Sequence, residues 1–308
     1  MAASGLRAIE TGWGPIPVSD AHVHFFSHRF FELLASQRED LSAARAIEIL
    51  GWRTPPADPV ALADLWTSEF ARHGVSRGAL IASHPGDVDS VAAAIAAHPA
   101  RFAGHFMFDP SKPGANAAPA FACGLRCVCL FPALHHYSMH DAGARAAIEE
   151  AARHRNSAVF VHCGTLSIGV RKKLGLKTVY DARHANPLDL MALAQEFPQV
   201  PFVIPHFGAG LFREALLLAS QCPNVYLDTS SSNNWMAAEG LDLRAVFKRA
   251  LDTAGPDRLL FGTDSSFFPR GWNRAIFDAQ ATALYELGID DGAASRIFGE
   301  NFDRLFPA

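Results

Sequence analysis

Long apolar runs are missing from this chain. No segment approaches the roughly 18 residues that a membrane span requires, although 49% of the 308 residues are hydrophobic. An excess of basic charge is missing too. Lysine and arginine together number 27 against 31 aspartates and glutamates, a formal net charge of −4. That balance gives no electrostatic reason to expect nucleic acid or an anionic membrane as a partner. Cysteine is scarce and odd in number, with five residues at 123, 127, 129, 163 and 222 and no Cys-x-x-Cys pair. A disulfide framework is therefore excluded as the basis of the fold, and buried reduced thiols are expected instead. The opening "MAASGLRAIETGWGP" has no basic stretch followed by an apolar one, so no secretory leader is read there. The expectation is a cytoplasmic protein that binds a small molecule.

What is present is a rhythm. Short apolar runs rich in β-branched and aromatic residues occur at 18–24, 78–83, 101–108, 125–131, 158–162, 201–206, 224–228 and 258–264. Their lengths and their Pro, Gly and Asn punctuation mark strands. Helix-like segments separate them at 88–97, 141–155, 187–197, 210–220, 241–254 and 271–287. In 141–155, Asp141 stands where a helix cap belongs, and His154 and Arg155 sit where cations suit the helix dipole. Eight strand–helix units imply a parallel sheet closed into a (β/α)8 TIM barrel, one α/β domain over residues 1–308. An open doubly wound sheet would carry a Gly-rich phosphate turn after the first strand, and none is there. Residues 30–76 exceed one crossover and read as an insertion after the first strand, with a turn at "GWRTPPADP". The last stretch, "DDGAASRIFGENFDRLF", reads as closing helices.

Function in such a barrel sits at the C-terminal ends of the strands. The first strand ends in His22-Val23-His24, the fifth in His162, the sixth in His206 and the eighth in Asp264. The period of two places His22 and His24 on one face, about 6–7 Å apart along the strand. Asp20 lies on the same face one step deeper, as support for an imidazole rather than as a ligand. Neutral imidazoles plus a carboxylate suit one divalent metal, zinc above all, with manganese as the alternative. A scaffold would gain nothing from polar residues at so many strand ends.

The ordered set "DAHVHFF", "VHCG", "PHFGAG", "FGTD" and "GENFDRLF" resembles the amidohydrolase superfamily. It is most like the amidohydrolase-related branch that includes the aminocarboxymuconate semialdehyde decarboxylases. The resemblance implies that His22, His24, His162 and Asp264 hold one metal, that His206 stands near the reacting group, and that Asp264 also moves a proton. Relatives with two metals usually carry a carboxylated lysine after strand four. Here that place falls at Cys129 with no lysine nearby, which implies a mononuclear site.

Two reactions remain open on these residues. One is hydrolysis of a small lactone, ester or amide by a metal-activated water; the other is nonoxidative decarboxylation of an aromatic or unsaturated acid. Candidate substrate contacts are His135 and His136 in the fourth loop, Arg183 in a long basic fifth loop, and Asn233, Trp235 and Arg270 in the last two loops. The basic loop suits an anionic substrate. A homodimer formed through outer helices is expected from the size of the barrel, with no interface written in the sequence.

Overall fold

The eight apolar runs are the eight strands of one sheet. The computed structural model describes residues 8–166, 168–230 and 234–308. The strands are β1 (Val18–His24), β2 (Val75–Ala82), β3 (Phe102–Phe108), β4 (Cys127–Leu130), β5 (Ala158–Val161), β6 (Phe202–Ile204), β7 (Val225–Asp228) and β8 (Leu259–Leu260). Each pairs in parallel with the next in chain order. Helices cover the outside and side chains fill the inside, so strands such as β2 are buried along their whole length.

The barrel closes between β8 and β1 without a regular ladder. Ala21 N–H donates to the Phe261 carbonyl (2.8 Å), Asp264 N–H to that of His22 (3.0 Å), and His24 N–H to that of Ser265 (2.8 Å). The expected strand 258–264 is ladder-like only at Leu259–Leu260. Asp20 explains the difference. Its carboxylate accepts the Thr263 N–H (3.1 Å) and hydroxyl (2.5 Å), the Trp272 indole N–H (2.7 Å) and the His22 N–H (2.9 Å). One buried side chain thus takes bonds that a ladder would otherwise make, and ties the first strand to the eighth.

Three helices follow β1: α1 (His28–Ala35), α2 (Ala43–Leu50) and α3 (Pro59–His73). Only the first two are the insertion. They share a separate apolar cluster with Leu174 and Leu176 of the fifth loop, whereas Leu62, Trp66 and Phe70 of α3 pack into the main core. The turn at 51–58 ends on Asp58, which caps α3 by accepting Val60 N–H (2.9 Å). The helix expected over 141–155 spans Ala142–Ala152, and Asp141 accepts Ser138 N–H rather than capping it. An N-terminal hairpin, Ile9–Thr11 with Gly14–Ile16, carried too few residues to be read from the sequence. Of the cysteines, four are buried and unpaired; Cys123 is exposed, contrary to expectation.

The closing motif works through Asn301, fully buried, whose amide donates to the Pro256 (2.7 Å) and Leu259 (2.8 Å) carbonyls. Phe302, Leu305 and Phe306 then plug the barrel interior. Asn301→Ala leaves two carbonyls without donors and should cost about 2–4 kcal/mol in denaturant unfolding. A loss under about 0.5 kcal/mol would show that the plug is held by its aromatic residues alone.

Candidate metal centre

The ends of β1 and β8 bring three ligand groups together. One ring nitrogen each from His22 and His24 and one carboxylate oxygen of Asp264 all lie within 4.8 Å of one another. The two Nε2 atoms are 3.4 Å apart, and Asp264 Oδ1 is 3.1 Å from His24 Nε2 and 3.8 Å from His22 Nε2.

The groups behind the rings decide what these atoms present. His22 Nδ1–H donates to Asp228 Oδ2 at 2.6 Å. Ser83 O–H donates to the Ile81 carbonyl (3.2 Å), so its oxygen accepts His24 Nδ1–H at 2.6 Å. Both imidazoles, held in that tautomer, turn an Nε2 lone pair toward the same point. Two lone pairs at 3.4 Å beside a carboxylate repel unless a positive charge sits among them, so the donor set fits a cation.

Without a metal that charge is a proton. Burial alone would lower the pKa of His22, but the Asp228 charge and hydrogen bond, with Asp264 and Asp20, overcome it and raise the value from 6.5 to about 9. Burial also works against the charge of Asp264, yet His24, His22 and His206 hold its carboxyl well below the usual range. Asp20 behaves oppositely, raised by burial to about 6 in spite of its donors.

His206 and His162 stand beside this cluster. The His206 ring is 5.0 Å from that of His22 and 5.4 Å from that of His162. Burial, reinforced by neighbouring imidazoles, lowers the pKa of both, so both are neutral near pH 7. His206 Nδ1 faces the Ser230 hydroxyl at 2.9 Å, and Ser230 Oγ is 3.0 Å from His22 Nδ1.

The backbone that places these residues is unusual. His206 (φ 53°) and Asp264 (φ 57°) both have left-handed backbone, which non-glycine residues adopt at a cost of about 1–2 kcal/mol. Glycines make room for it. A Cβ on Gly164 would collide with the Gly208 and Ala209 carbonyls, and one on Gly262 would lie 2.8 Å from Asp228 Oδ1 and 2.9 Å from His22 Cβ.

Above the cluster opens a cavity of about 1240 Å³. His135, His136, Trp235 and Arg270 line it, together with Arg171, Lys173 and Lys177 of the fifth loop. Arg183 does not. It is exposed and turned onto Asp181, 2.6 Å away, so it does not join the residues expected at the substrate. Asn233 lies outside the described residues. Cys129 is also not at the mouth: it is fully buried one inward-facing position below, pairing in register with Phe160 rather than His162. Asp20 holds main chain, and the carboxylate behind the imidazole is Asp228. Sequence reasoning missed Asp228, Ser230 and Ser83. The aspartate was findable, since "NVYLD" ends a strand in an acid as "FGTD" does.

With this geometry in view, comparison with known proteins settles the lineage. The amidohydrolase model (Amidohydro_2) matches residues 19–308.

This chain belongs to the amidohydrolase family.

Protein fluG of Emericella nidulans is 34% identical over 134 residues, which make up 40% of this chain and only 15% of that protein. Among solved structures, one from Acinetobacter baumannii, named a probable 2-pyrone-4,6-dicarboxylic acid hydrolase and holding citric acid, is 16% identical with a TM-score of 0.61. The alignment covers 95% of this chain and all (100%) of that one. An amidohydrolase from Burkholderia multivorans with bound zinc is 17% identical, with a TM-score of 0.54 over 94% of this chain and 99% of that one. The family is metal-dependent, and this member is an enzyme with a site that fits a metal.

The raised pKa of His22 sets a pH dependence. In metal-free protein the His22–Asp228 ion pair contributes stability below about pH 6.5 that is lost as pH rises through about 9. Metal uptake must expel that proton. Calorimetric zinc titration should therefore show affinity rising about tenfold per pH unit between pH 6.5 and 8.5. Asp228→Asn should lower the affinity about 10–100-fold and flatten the dependence; an unchanged profile would mean that Asp228 does not control the ligand.

Proposed function

We propose that this amidohydrolase is a mononuclear zinc enzyme that hydrolyses a small, planar, anionic lactone or ester. The observation that carries the reading is the convergence of His22 Nε2, His24 Nε2 and an Asp264 oxygen at the floor of a deep cavity. His162, buried beside them, completes the ligand set in this reading. The donors, three imidazoles and one carboxylate, match zinc, and the zinc-bound relative supports that choice. A divalent ion held there supplies Lewis acidity that makes water a nucleophile at neutral pH and polarises a carbonyl.

The chain's own residues then divide the work. Asp264 is kept ionised by the surrounding imidazoles and is about one-fifth exposed to the cavity, its side chain at 22%. It accepts a proton from the attacking water and returns it to the leaving oxygen. The Ser230 carbonyl, 3.3 Å from His206 Nδ1, accepts Nδ1–H, so that in this reading Nε2 offers a lone pair that orients the attacking water. Burial keeps that ring neutral, which leaves the Nε2 lone pair free for this role.

Selectivity comes from the cavity wall. Phe26 and Trp52 line it and lie nearly parallel (5.8 Å, 13°), while Phe267, which does not line it, backs Trp52 by stacking (4.0 Å, 7°). The Arg270 guanidinium rests over Phe267 at 4.6 Å. A flat ring carrying a carboxylate complements an aromatic wall that ends in a guanidinium. Arg171 is committed through three nitrogens to Gln37, Thr178 and the Lys177 carbonyl, whereas Arg270 bonds the Asp264 carbonyl and the Ser266 hydroxyl through Nη2 alone, which makes Arg270 the anchor in this reading. The pyrone dicarboxylic acid in the name of the structural relative is a molecule of this kind.

Zinc-loaded protein assayed on carboxylated lactones, neutral esters, amides and hydroxybenzoates should release acid from the first group, and CO2 release instead would make it a decarboxylase. His206→Ala should keep near-normal zinc while kcat falls about 10²–10⁴-fold; loss of zinc would make His206 a ligand. Arg270→Leu should raise KM for carboxylated lactones at least tenfold and leave neutral esters unaffected.

A further inference from the structure

A second cluster of metal-ligating atoms lies inside the barrel, below the floor of the cavity. His105 of β3 and Cys127 and Cys129 of β4 each place one ligand atom within 4.8 Å of the others. His105 pairs in register with Cys127, and Met107 with Cys129, so all four side chains point inward on adjacent strands. Phe160, whose ring is 5.4 Å from that of His22, stands between this cluster and the mouth.

The cluster is sealed. Cys127 and Cys129 are fully buried, and His105 is 3% exposed. Around them lie Ala103, Ala158, Phe160, Phe302 and Phe306, and the His105 ring packs on Phe306 at 4.8 Å. Neither nitrogen of His105 has a hydrogen-bond partner among the described residues. A buried imidazole with both nitrogens unanswered is a rare and costly arrangement. Burial keeps the ring neutral, the form that ligates metal. The thiols make only weak contacts, Cys127 Sγ to the Val128 carbonyl (3.9 Å) and Cys129 Sγ to that of Cys127 (4.0 Å).

We propose that His105, Cys127 and Cys129 form a structural site for a thiophilic d10 cation, zinc(II) or copper(I), separate from the metal centre at the mouth. Sulfur with imidazole nitrogen selects soft metals over magnesium, calcium or manganese. Charge balance suits the apolar shell. Zinc(II) expels both thiol protons to solvent and, with two thiolates and a neutral imidazole, is net neutral; copper(I) needs to expel only one. Neither case changes an oxidation state. Three donors without water favour copper(I), whereas zinc ordinarily takes four. Entry requires the plug of Phe302, Leu305 and Phe306 to be displaced, so the ion is acquired as the chain folds and does not exchange afterwards.

The test is metal-edge X-ray absorption on full-length protein refolded with zinc, or with copper(I) under reducing conditions, then freed of loose metal by gel filtration. The mouth ligands offer only nitrogen and oxygen, and the exposed Cys123 supplies at most one sulfur, so two sulfur neighbours on one ion report the deep site. The expected result is one equivalent per chain with two sulfur neighbours, at about 2.3 Å for zinc. His22→Ala/His24→Ala should lose the mouth ion and keep the sulfur-bound one, which separates this proposal from the reading of the mouth. His105→Phe, similar in size and apolar, should lose the sulfur-bound equivalent while the mouth still loads. Spectra from both metals with nitrogen and oxygen neighbours only, in the wild-type protein, would overturn the proposal whether or not the variants fold.

Discussion

Two imidazole nitrogens point their lone pairs at each other across 3.4 Å, and much of the structure exists to keep them there. Left alone, the rings would rotate apart or take up a proton. Asp228 and Ser83 prevent rotation by occupying the far nitrogens. Asp20 fixes the main chain of β1 against the segment that carries Asp264. Gly262 lets that segment pass close to Asp228 and His22. The repulsion is therefore built in, and a cation relieves it. Removing any one of these supports loosens the ligands without removing a ligand, which is why the residues behind a metal matter as much as those that touch it.

The barrel separates rigidity from adaptability. Its strands carry the charged and titratable groups, and their positions are fixed by a core in which most side chains are wholly buried. The cap is built from the first two helices and the fifth loop, with its own small apolar cluster. Cavity-facing aromatic and basic groups sit on such loops, where sequence can vary without disturbing the strand ends below. The floor of the cavity is polar, and Phe26 and Trp52 make part of its wall aromatic, which suits the flat substrate proposed above.

Fold and metal-capable residues were legible because both obey strict periods. Alternation in β1 put His22 and His24 on one face, and the spacing of apolar runs located all eight strands. Boundaries failed where side chains replaced main-chain bonds, as Asp20 does for the strand expected at 258–264. Roles that depend on contacts between distant segments were illegible. Asp228 lies 206 positions from the histidine it supports, and no local pattern links the two. Arg183 stands off the cavity for a local reason, since an aspartate two residues earlier captures it. Cys129 was correctly placed on the fourth strand, but its depth depends on register with β5, which the sequence does not contain.

The central claim is tested most directly by anomalous diffraction at the zinc edge on crystals grown from catalytically active protein. The account predicts one strong peak bounded by His22 Nε2, His24 Nε2 and the Asp264 carboxylate. Active crystals with no peak among those three side chains would contradict it.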